Sequence, residues 1–355
     1  MRICSFIASV CGVTLAAGLG TQGIAAEANF AGKTVTVVIS SGVGGGTDSM
    51  ARLVGRYLRE YLPGRPIVTF HNIPGAGGIK ALNFFQAQAK PDGLTSVVGS
   101  ASNLDPTVIR SPTVTYDTKK LMMYGGFPAP SGILMLRKDA SKRFYDKSQP
   151  PAVIGNVNAV RTSDQMAVWG PAYLGWNIRW VLGYPSSQEI NLAALRGETD
   201  MVITYERNLI AQLMETGNFV LVAQTGDVNY GKLVRSSQFS DTPIFADLVR
   251  PQLKNSDEIK AFQAWEALAQ VGKWMALPSG TPPEILSAYR KAFVRMVEDP
   301  QFKQEAVATL GNSFTTASGE EMQQVALRAD AVSEDTLKFF DQLRERVGIR
   351  IDNKK

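Results

Sequence analysis

The chain has 355 residues, 45% of them hydrophobic and 19% charged, the composition of globular protein; at roughly 150 residues per domain, about two domains are expected. Its two cysteines, Cys4 and Cys11, fall in the first dozen residues and His71 is its single histidine, which excludes a disulfide scaffold and a zinc site built from His and Cys. The formal charge of +5 is spread along the chain with no Lys/Arg run interleaved with aromatics, so no nucleic acid partner is expected.

Residues 1–26 read as a secretory signal. Arg2 is the positive start, 3–19 are mostly apolar and small, and Gly23-Ile24-Ala25-Ala26 offers small residues for cleavage. The apolar run is too short and too interrupted by Gly and Thr for a membrane anchor. Its removal takes both cysteines, so an exported chain must rely on a buried core, which this length allows.

A regular alternation follows. Residues 34–40 (TVTVVIS) form an uncharged β-branched run, as expected for a strand covered on both faces. Thr47 then opens a helix whose apolar positions Met50, Leu53, Val54, Tyr57, Leu58 and Tyr61 share one face. A strand is expected at 66–70, a helix at 79–89 and a third strand at 94–99. This βαβαβ series predicts a parallel sheet with right-handed crossovers. From about 121 the rhythm loosens, and 121–138 reads as a crossing into a second domain of the same kind. Its strands are expected at 152–156, 180–183, 201–205 and 219–224, and its helices at 162–174, 188–195 and 209–215. An apolar segment near 273–277 crosses back. Two capped helices close the chain: Thr281-Pro282-Pro283-Glu284 reads as a capping box with proline at the first helical position, and Ser318-Gly319-Glu320-Glu321 as a second box. The first of these helices is expected to stop near Asp299-Pro300.

Two α/β lobes joined by two or more crossings make a hinge, with a ligand cleft at the carboxyl ends of the strands. The most informative stretch there is Ser40-Ser41-Gly42-Val43-Gly44-Gly45-Gly46-Thr47-Asp48, between a buried strand and a helix. First-turn N–H groups have no intrahelical partner, and with the helix dipole they suit an anion. The plainer alternative is a glycine turn for close helix–strand packing. A second glycine loop, Ile73-Pro74-Gly75-Ala76-Gly77-Gly78, occupies the equivalent place of the next unit, and the third strand ends in Gly99-Ser100-Ala101-Ser102-Asn103; together they favour an oxygen-rich anion.

Competing motifs fail on spacing. Gly42 and Gly44 are followed by Thr47 rather than the third glycine of a dinucleotide fingerprint, and the acidic ribose partner is missing. Gly32-Lys33-Thr34 precedes a strand rather than a helix and lacks the leading glycine of a P-loop, and no nucleophile elbow is present. His71 reads as a polar residue at a strand end rather than a catalytic base. Asp48 either contacts an amino or hydroxyl group on a ligand or complements the helix dipole. Trp169, Tyr173, Trp176, Trp180 and Tyr184 either stack on an aromatic ligand or fill the core.

These loops resemble a known family. Gly44-Gly45-Gly46-Thr47-Asp48 with Ala51-Arg52, then Asn72-x-Pro74-Gly75-Ala76-Gly77-Gly78, then Pro91-Asp92-Gly93-x-Thr95, is similar to the substrate-binding receptors of tripartite tricarboxylate transporters, the Bug family. Gly183-Tyr184-Pro185-x-Ser187, Ala194-Leu195-Arg196-Gly197-Glu198-x-Asp200, Asp241-Thr242-Pro243 and Leu277-Pro278-x-Gly280-Thr281-Pro282 extend the likeness over about 31–345. Departures are Ser40-Ser41-Gly42-Val43 where the family has an aromatic–Pro–Pro lead, His71 where Glu is common, and Val160-Arg161-Thr162-Ser163-Asp164 where a Gly-Ser pair is usual.

The resemblance implies an α/β, two-lobed periplasmic binding protein of type II-like architecture, each lobe a mostly parallel sheet flanked by helices. Lobe 1 would comprise 27–125 plus about 262–315, lobe 2 126–261, with 316–355 packing back on the lobes. It implies a monomer without cofactor, metal or catalytic activity that captures a small organic carboxylate in the periplasm for membrane transporter subunits; a receptor that reports occupancy to a membrane sensor kinase is the alternative. Carried over by position, the ligand residues are Gly44, Gly45, Thr47, Asp48, Ala76, Gly77, Ser100 and Ser102 from the first lobe, and Arg161, Thr162, Ser163, Thr204 and Tyr205 from the second. Arg161 would supply a bidentate carboxylate partner or face solvent.

Overall fold

The computed structural model describes residues 28–157, 162–229, 232–269, 271–310 and 314–349. The secretory-signal expectation at 1–26 and Arg161 fall outside them.

The β-branched run forms strand β1 (Thr34–Ile39), which is paired in parallel with β2 (Ile67–Asn72) on one side and β3 (Thr95–Ser100) on the other. Helix α1 (Gly46–Tyr61) and α2 (Ile79–Gln88) make the crossovers, so the expected βαβαβ unit is present. α1 buries Met50, Leu53, Val54, Tyr57 and Leu58, the stripe set by its periodicity. Strand β2 runs two residues further than expected and carries His71, exposed at the sheet edge and edge-to-face with Phe84.

Strand β4 (Met122–Pro128) stays in this sheet, and the chain leaves it over 129–132 to enter a second sheet as β5 (Ile133–Arg137). There follow β6 (Ala152–Asn156), β7 (Ile178–Leu182), α3 (Ser187–Leu195), β8 (Met201–Thr204), α4 (Arg207–Glu215) and β9 (Phe219–Gln224). A hairpin of β10 (Asp227–Asn229) and β11 (Lys232–Val234) and helix α5 (Ser256–Ala269) lead to β12 (Val271–Leu277), which returns to the first sheet. The strand orders are β13-β4-β12-β3-β1-β2 and β7-β6-β8-β5-β9. In each sheet the parallel strands of the βαβ units form one end, β3-β1-β2 in the first and β7-β6-β8 in the second. Each is mixed overall, because the crossing strands β12 and β5 arrive from the opposite lobe and pair antiparallel with both neighbours.

The helix expected over 162–174 is three short pieces, a 3₁₀ turn (Thr162–Gln165), an α turn (Met166–Trp169) and a π turn (Gly170–Leu174). Pro171 has no N–H for the α-helical ladder, which accounts for the widened last turn. The carboxyl-terminal region holds α6 (Pro283–Glu298), α7 (Pro300–Leu310), β13 (Ala317–Ser318), α8 (Gly319–Asp330) and α9 (Glu334–Arg346). The capping box at Ser318 and Glu321 is formed in full. The one expected at Thr281 is not: Pro282 is the cap, the helix starts at Pro283, and the Thr281 hydroxyl instead donates to the Pro278 carbonyl at 2.7 Å.

Phe127, Phe293, Phe302 and Tyr289 fill the core beneath the first sheet, and Trp169 with Phe262, Trp265 and Phe340 fills that of the second. α8 packs on β4 whereas Phe340 and Leu343 of α9 belong to the other core, so the chain passes between the lobes once more near 331–333. Arg110 fastens that passage by donating to the carbonyls of Asp330 and Val332 at 2.9 and 3.0 Å.

Candidate functional site

A cavity of about 210 Å³ opens between the two sheets. The first lobe contributes the ends of β1 and β3 and the two glycine loops: Ser40, Gly45, Gly46, Thr47, Gly75, Gly77, Gly78, Ser100 and Ser102. The second contributes the ends of β6 and β8 and the start of α3: Gly155, Val157, Asp164, Ser186, Ser187, Asn191, Thr204, Tyr205 and Glu206. The two crossings close its floor with Ala129, Pro130, Gly272 and Lys273. Gly272 is required there, since a Cβ would stand 2.5 Å from the Phe127 carbonyl of the neighbouring crossing.

Three loops of the first lobe are held at fixed spacing by two polar hubs. Asp48, 2% exposed, turns its carboxylate back into the first glycine loop, where Oδ2 accepts from the Gly44 N–H at 2.9 Å. Arg52 Nε donates to both of its oxygens at 3.0 and 3.1 Å, and Asn72 Nδ2 donates to Oδ1 at 2.8 Å and to the Ser41 carbonyl at 3.1 Å. Burial alone would raise the Asp48 pKa; the bonds from Arg52, Gly44 and Asn72 outweigh it and hold the carboxyl below the usual aspartate value.

The second hub is Asn103, which is fully buried. Its Nδ2 donates to the Gly77 carbonyl at 3.0 Å, its Oδ1 accepts from the Ser100 N–H at 3.0 Å, and the Ser40 hydroxyl donates to the same oxygen at 3.3 Å. One amide thus ties all three loops together. Gly78 (φ +97°) has to be glycine, because a Cβ would meet Asn103 Nδ2 at 2.5 Å. Ala76 holds a left-handed φ of +50°, a strained conformation for alanine of the kind found at binding loops.

α1 starts at Gly46 with no side-chain cap, and the N–H groups of its first turn have no intrahelical acceptor. Thr47, 7% exposed, carries a hydroxyl that bonds to no described residue. A second helix start faces it: Ser186 caps α3, accepting from the Glu189 N–H at 3.4 Å, and Ser187 is the first residue of that helix. The lobes approach closely, since a Cβ on Gly44 would stand 2.9 Å from Gln188 Oε1, and one on Gly46 3.2 Å from Glu206 Oε1.

Of the residues expected at the site, Gly45, Thr47, Gly77, Ser100, Ser102, Thr204 and Tyr205 line the cavity. Gly44, Asp48 and Ala76 do not. Asp48 is spent on the Gly44 N–H, which is therefore also unavailable to a ligand, and Ala76 shapes the turn that presents Gly77. Thr162 and Ser163 open the short helix before Met166, with their side chains, like all of Arg161, outside the described residues. None of the five aromatics considered for stacking lines the cavity; Trp169 and Trp176 are core.

Sequence reasoning missed Ser186, Asn191, Glu206 and Lys273. The Ser-x-x-Glu spacing at Ser186 and Glu189 was a readable helix-start signal. Glu206 and Lys273 carry no local signal, because only the meeting of the lobes places them. Among the described residues no cluster of His, Cys, Asp and Glu could hold a metal ion, and no helix is long and apolar enough to cross a membrane.

No family model matches the sequence and no curated protein matches it. Solved structures do. The periplasmic binding protein BugD is 19% identical with a TM-score of 0.66, covering 89% of this chain and 98% of its own. MatC from Rhodopseudomonas palustris, solved with bound malate, is 19% identical with a TM-score of 0.66 over 86% of this chain and 98% of its own. A second R. palustris protein, solved with adipate, is 18% identical with a TM-score of 0.67 over 89% of this chain and 97% of its own. The chain therefore has the two-lobed fold of the TctC and Bug-type periplasmic binding proteins.

Proposed function

We propose that the protein is a periplasmic solute receptor that captures a small organic carboxylate between its lobes and delivers it to a membrane transporter, without chemical turnover. The observation that carries this reading is the cavity into which the glycine loops, the start of α1 and the Ser186–Thr204 wall of the other lobe all converge. Backbone N–H groups at a helix start bind anions through directed donors and the dipole, with no cationic side chain needed. Charge-assisted hydrogen bonds contribute about 1.5–3 kcal/mol each, so three or four suffice for roughly micromolar affinity after ordering costs. The size of the cavity suits a compact acid, and the apolar Met50, Ile154, Ile190 and Ile203 in its wall suit a short hydrocarbon segment.

Closure follows from the geometry. A ligand on the first-lobe loops touches Ser187 and Thr204 only when the lobes are together, so it stabilises the closed state by that difference in contacts. Structures of the same fold solved with malate and adipate support the ligand class. A thermal-shift panel of monocarboxylates, dicarboxylates, aromatic carboxylates, amino acids, sugars and amines tests the reading. A carboxylate at about 100 times its Kd should stabilise the protein by about 2.7 kcal/mol and be recovered unchanged by mass spectrometry. Shifts confined to sugars, simple amines or metal ions would overturn it.

A further inference from the structure

We infer that Glu206 is a built-in competitor for the carboxylate site: when the lobes meet, its own carboxylate stands at the positive end of α1, and the carboxylate of a ligand has to displace it. The inference deepens the carboxylate reading and rests on it.

Glu206 holds the cap position of α4, where a Ser, Thr, Asp or Asn side chain would accept from the helix's own first N–H groups. Its side chain makes no such bond. It extends across the cleft instead. Oε1 is its leading atom, 3.2 Å from the place a Gly46 Cβ would take, with Cδ behind it at 3.8 Å. Gly46 is the first residue of the 16-residue α1, which has no side-chain cap of its own either. A carboxylate of the second lobe is thus set against the positive end of a first-lobe helix.

The fold fixes this approach. The Glu206 N–H donates to Thr204 Oγ1 at 3.1 Å, and α7 packs on both α1 and α4, so closure carries the side chain to the same point each time. The neighbouring cations are engaged elsewhere. Arg207 donates to the Ser131 carbonyl at 2.8 Å and lies over the Phe239 ring, and Arg52 is paired with Asp48. Thr47, on the same turn of α1, is nine-tenths buried, and its hydroxyl has no partner among the described residues, which marks this turn as a place kept for a ligand.

Two carboxylates cannot share that turn without cost. They repel in a partly desolvated cleft, and the attraction that α1 gives to Glu206 is given up when a ligand takes its place. The receptor therefore binds its acid less tightly than its backbone donors alone allow, as suits a protein that must hand its cargo on.

Calorimetry on the full chain with acetate, hexanoate, benzoate, succinate and adipate tests this in wild type, Glu206→Gln and Glu189→Gln. Glu206→Gln keeps the side-chain volume, removes the charge and takes no cap from α4. It should bind acids about fivefold or more tighter than wild type. The gain should fall on monocarboxylates and dicarboxylates alike, because the competition is for the one carboxylate that both place on α1. Glu189→Gln removes the same charge from an exposed position outside the cavity wall, and should stay within about twofold of wild type. An affinity in Glu206→Gln that is unchanged or weaker, a gain confined to dicarboxylates, or an equal gain in Glu189→Gln would overturn the inference and leave the carboxylate reading intact. If none of the five acids binds any of the three proteins, both fall.

Discussion

Replacing Asn103 with leucine isolates the contribution of the buried amide that spaces the three ligand loops. Leucine has the same branching and heavy-atom count as asparagine but bulkier ends, so the change opens no cavity and any overpacking adds to the loss. It leaves the Ser100 N–H and the Gly77 carbonyl without the partners they have at 3.0 Å in a fully buried position. Each such orphan costs about 1–3 kcal/mol, so a loss of about 4 kcal/mol is expected, or roughly 8–16 °C in Tm at the 2–4 °C per kcal/mol of a lobe-sized unit. Affinity should fall further than stability alone requires, because Gly77 and Ser100 lose their common anchor and the loops no longer present their donors at one spacing. Tyr116→Phe is the control: it removes the hydroxyl that donates to the Asn103 carbonyl at 3.0 Å and leaves the loop bonds alone, so it should cost about 1 kcal/mol and spare binding. Differential scanning fluorimetry gives the first quantity and calorimetry with the best carboxylate of the panel the second. An Asn103→Leu protein within about 2 °C of wild type and within about twofold in affinity would refute the hub argument.

Gly45→Val should abolish carboxylate binding while changing Tm by only a few degrees. The backbone there is ordinary extended (φ −79°), and a Cβ meets nothing closer than 3.6 Å, so the added methyl groups fill the cavity without straining the turn; circular dichroism with calorimetry separates the two effects, and retained affinity would assign the loop to packing. Asp48 carries the pH dependence. Its folded pKa lies below its unfolded value, so its stabilisation is present above the unfolded value, near 3.8, and is lost as pH falls through the folded one. Urea unfolding across this acid range should therefore be less pH-sensitive in Asp48→Asn than in wild type, and identical slopes would remove Asp48 from the account.

The first lobe was legible because its strands are uncharged β-branched runs and its helices keep a clean apolar stripe; β1, α1 and α2 fall within a residue of the sequence reading. Glycine loops at successive strand ends were a sound pointer, and Gly45, Gly77 and Ser100 do line one cavity. Asp48 was ambiguous because sequence spacing cannot show which way a first-turn carboxylate turns; the Gly44 N–H and Asn72, 24 residues away, settle it. The box at Thr281 failed because two consecutive prolines delay the helix by fixing an extended residue at 282. Between Gln224 and Lys273 the reading had no elements, although Ser256–Ala269 is a full helix: Ala261, Phe262, Trp265, Leu268 and Ala269 share its buried face, but Glu258 lies on that face and Ile259, Ala264 and Ala267 lie off it, so the periodic signal is weak. Glu206 was invisible for a different reason, since its neighbour Gly46 is 160 positions away and belongs to the other lobe.

The central claim is that backbone amides at the starts of neighbouring turns hold the carboxylate of the cargo. The most direct measurement is a crystal structure of the protein with its co-purified or best-binding acid. The account requires a carboxylate within hydrogen-bond reach of Gly45–Thr47 or Gly77, with the second lobe closed over it through Ser187 and Thr204. An acid seated elsewhere on the chain, or one held in the cleft by its hydrocarbon end with its carboxylate turned away from both glycine loops, would contradict it.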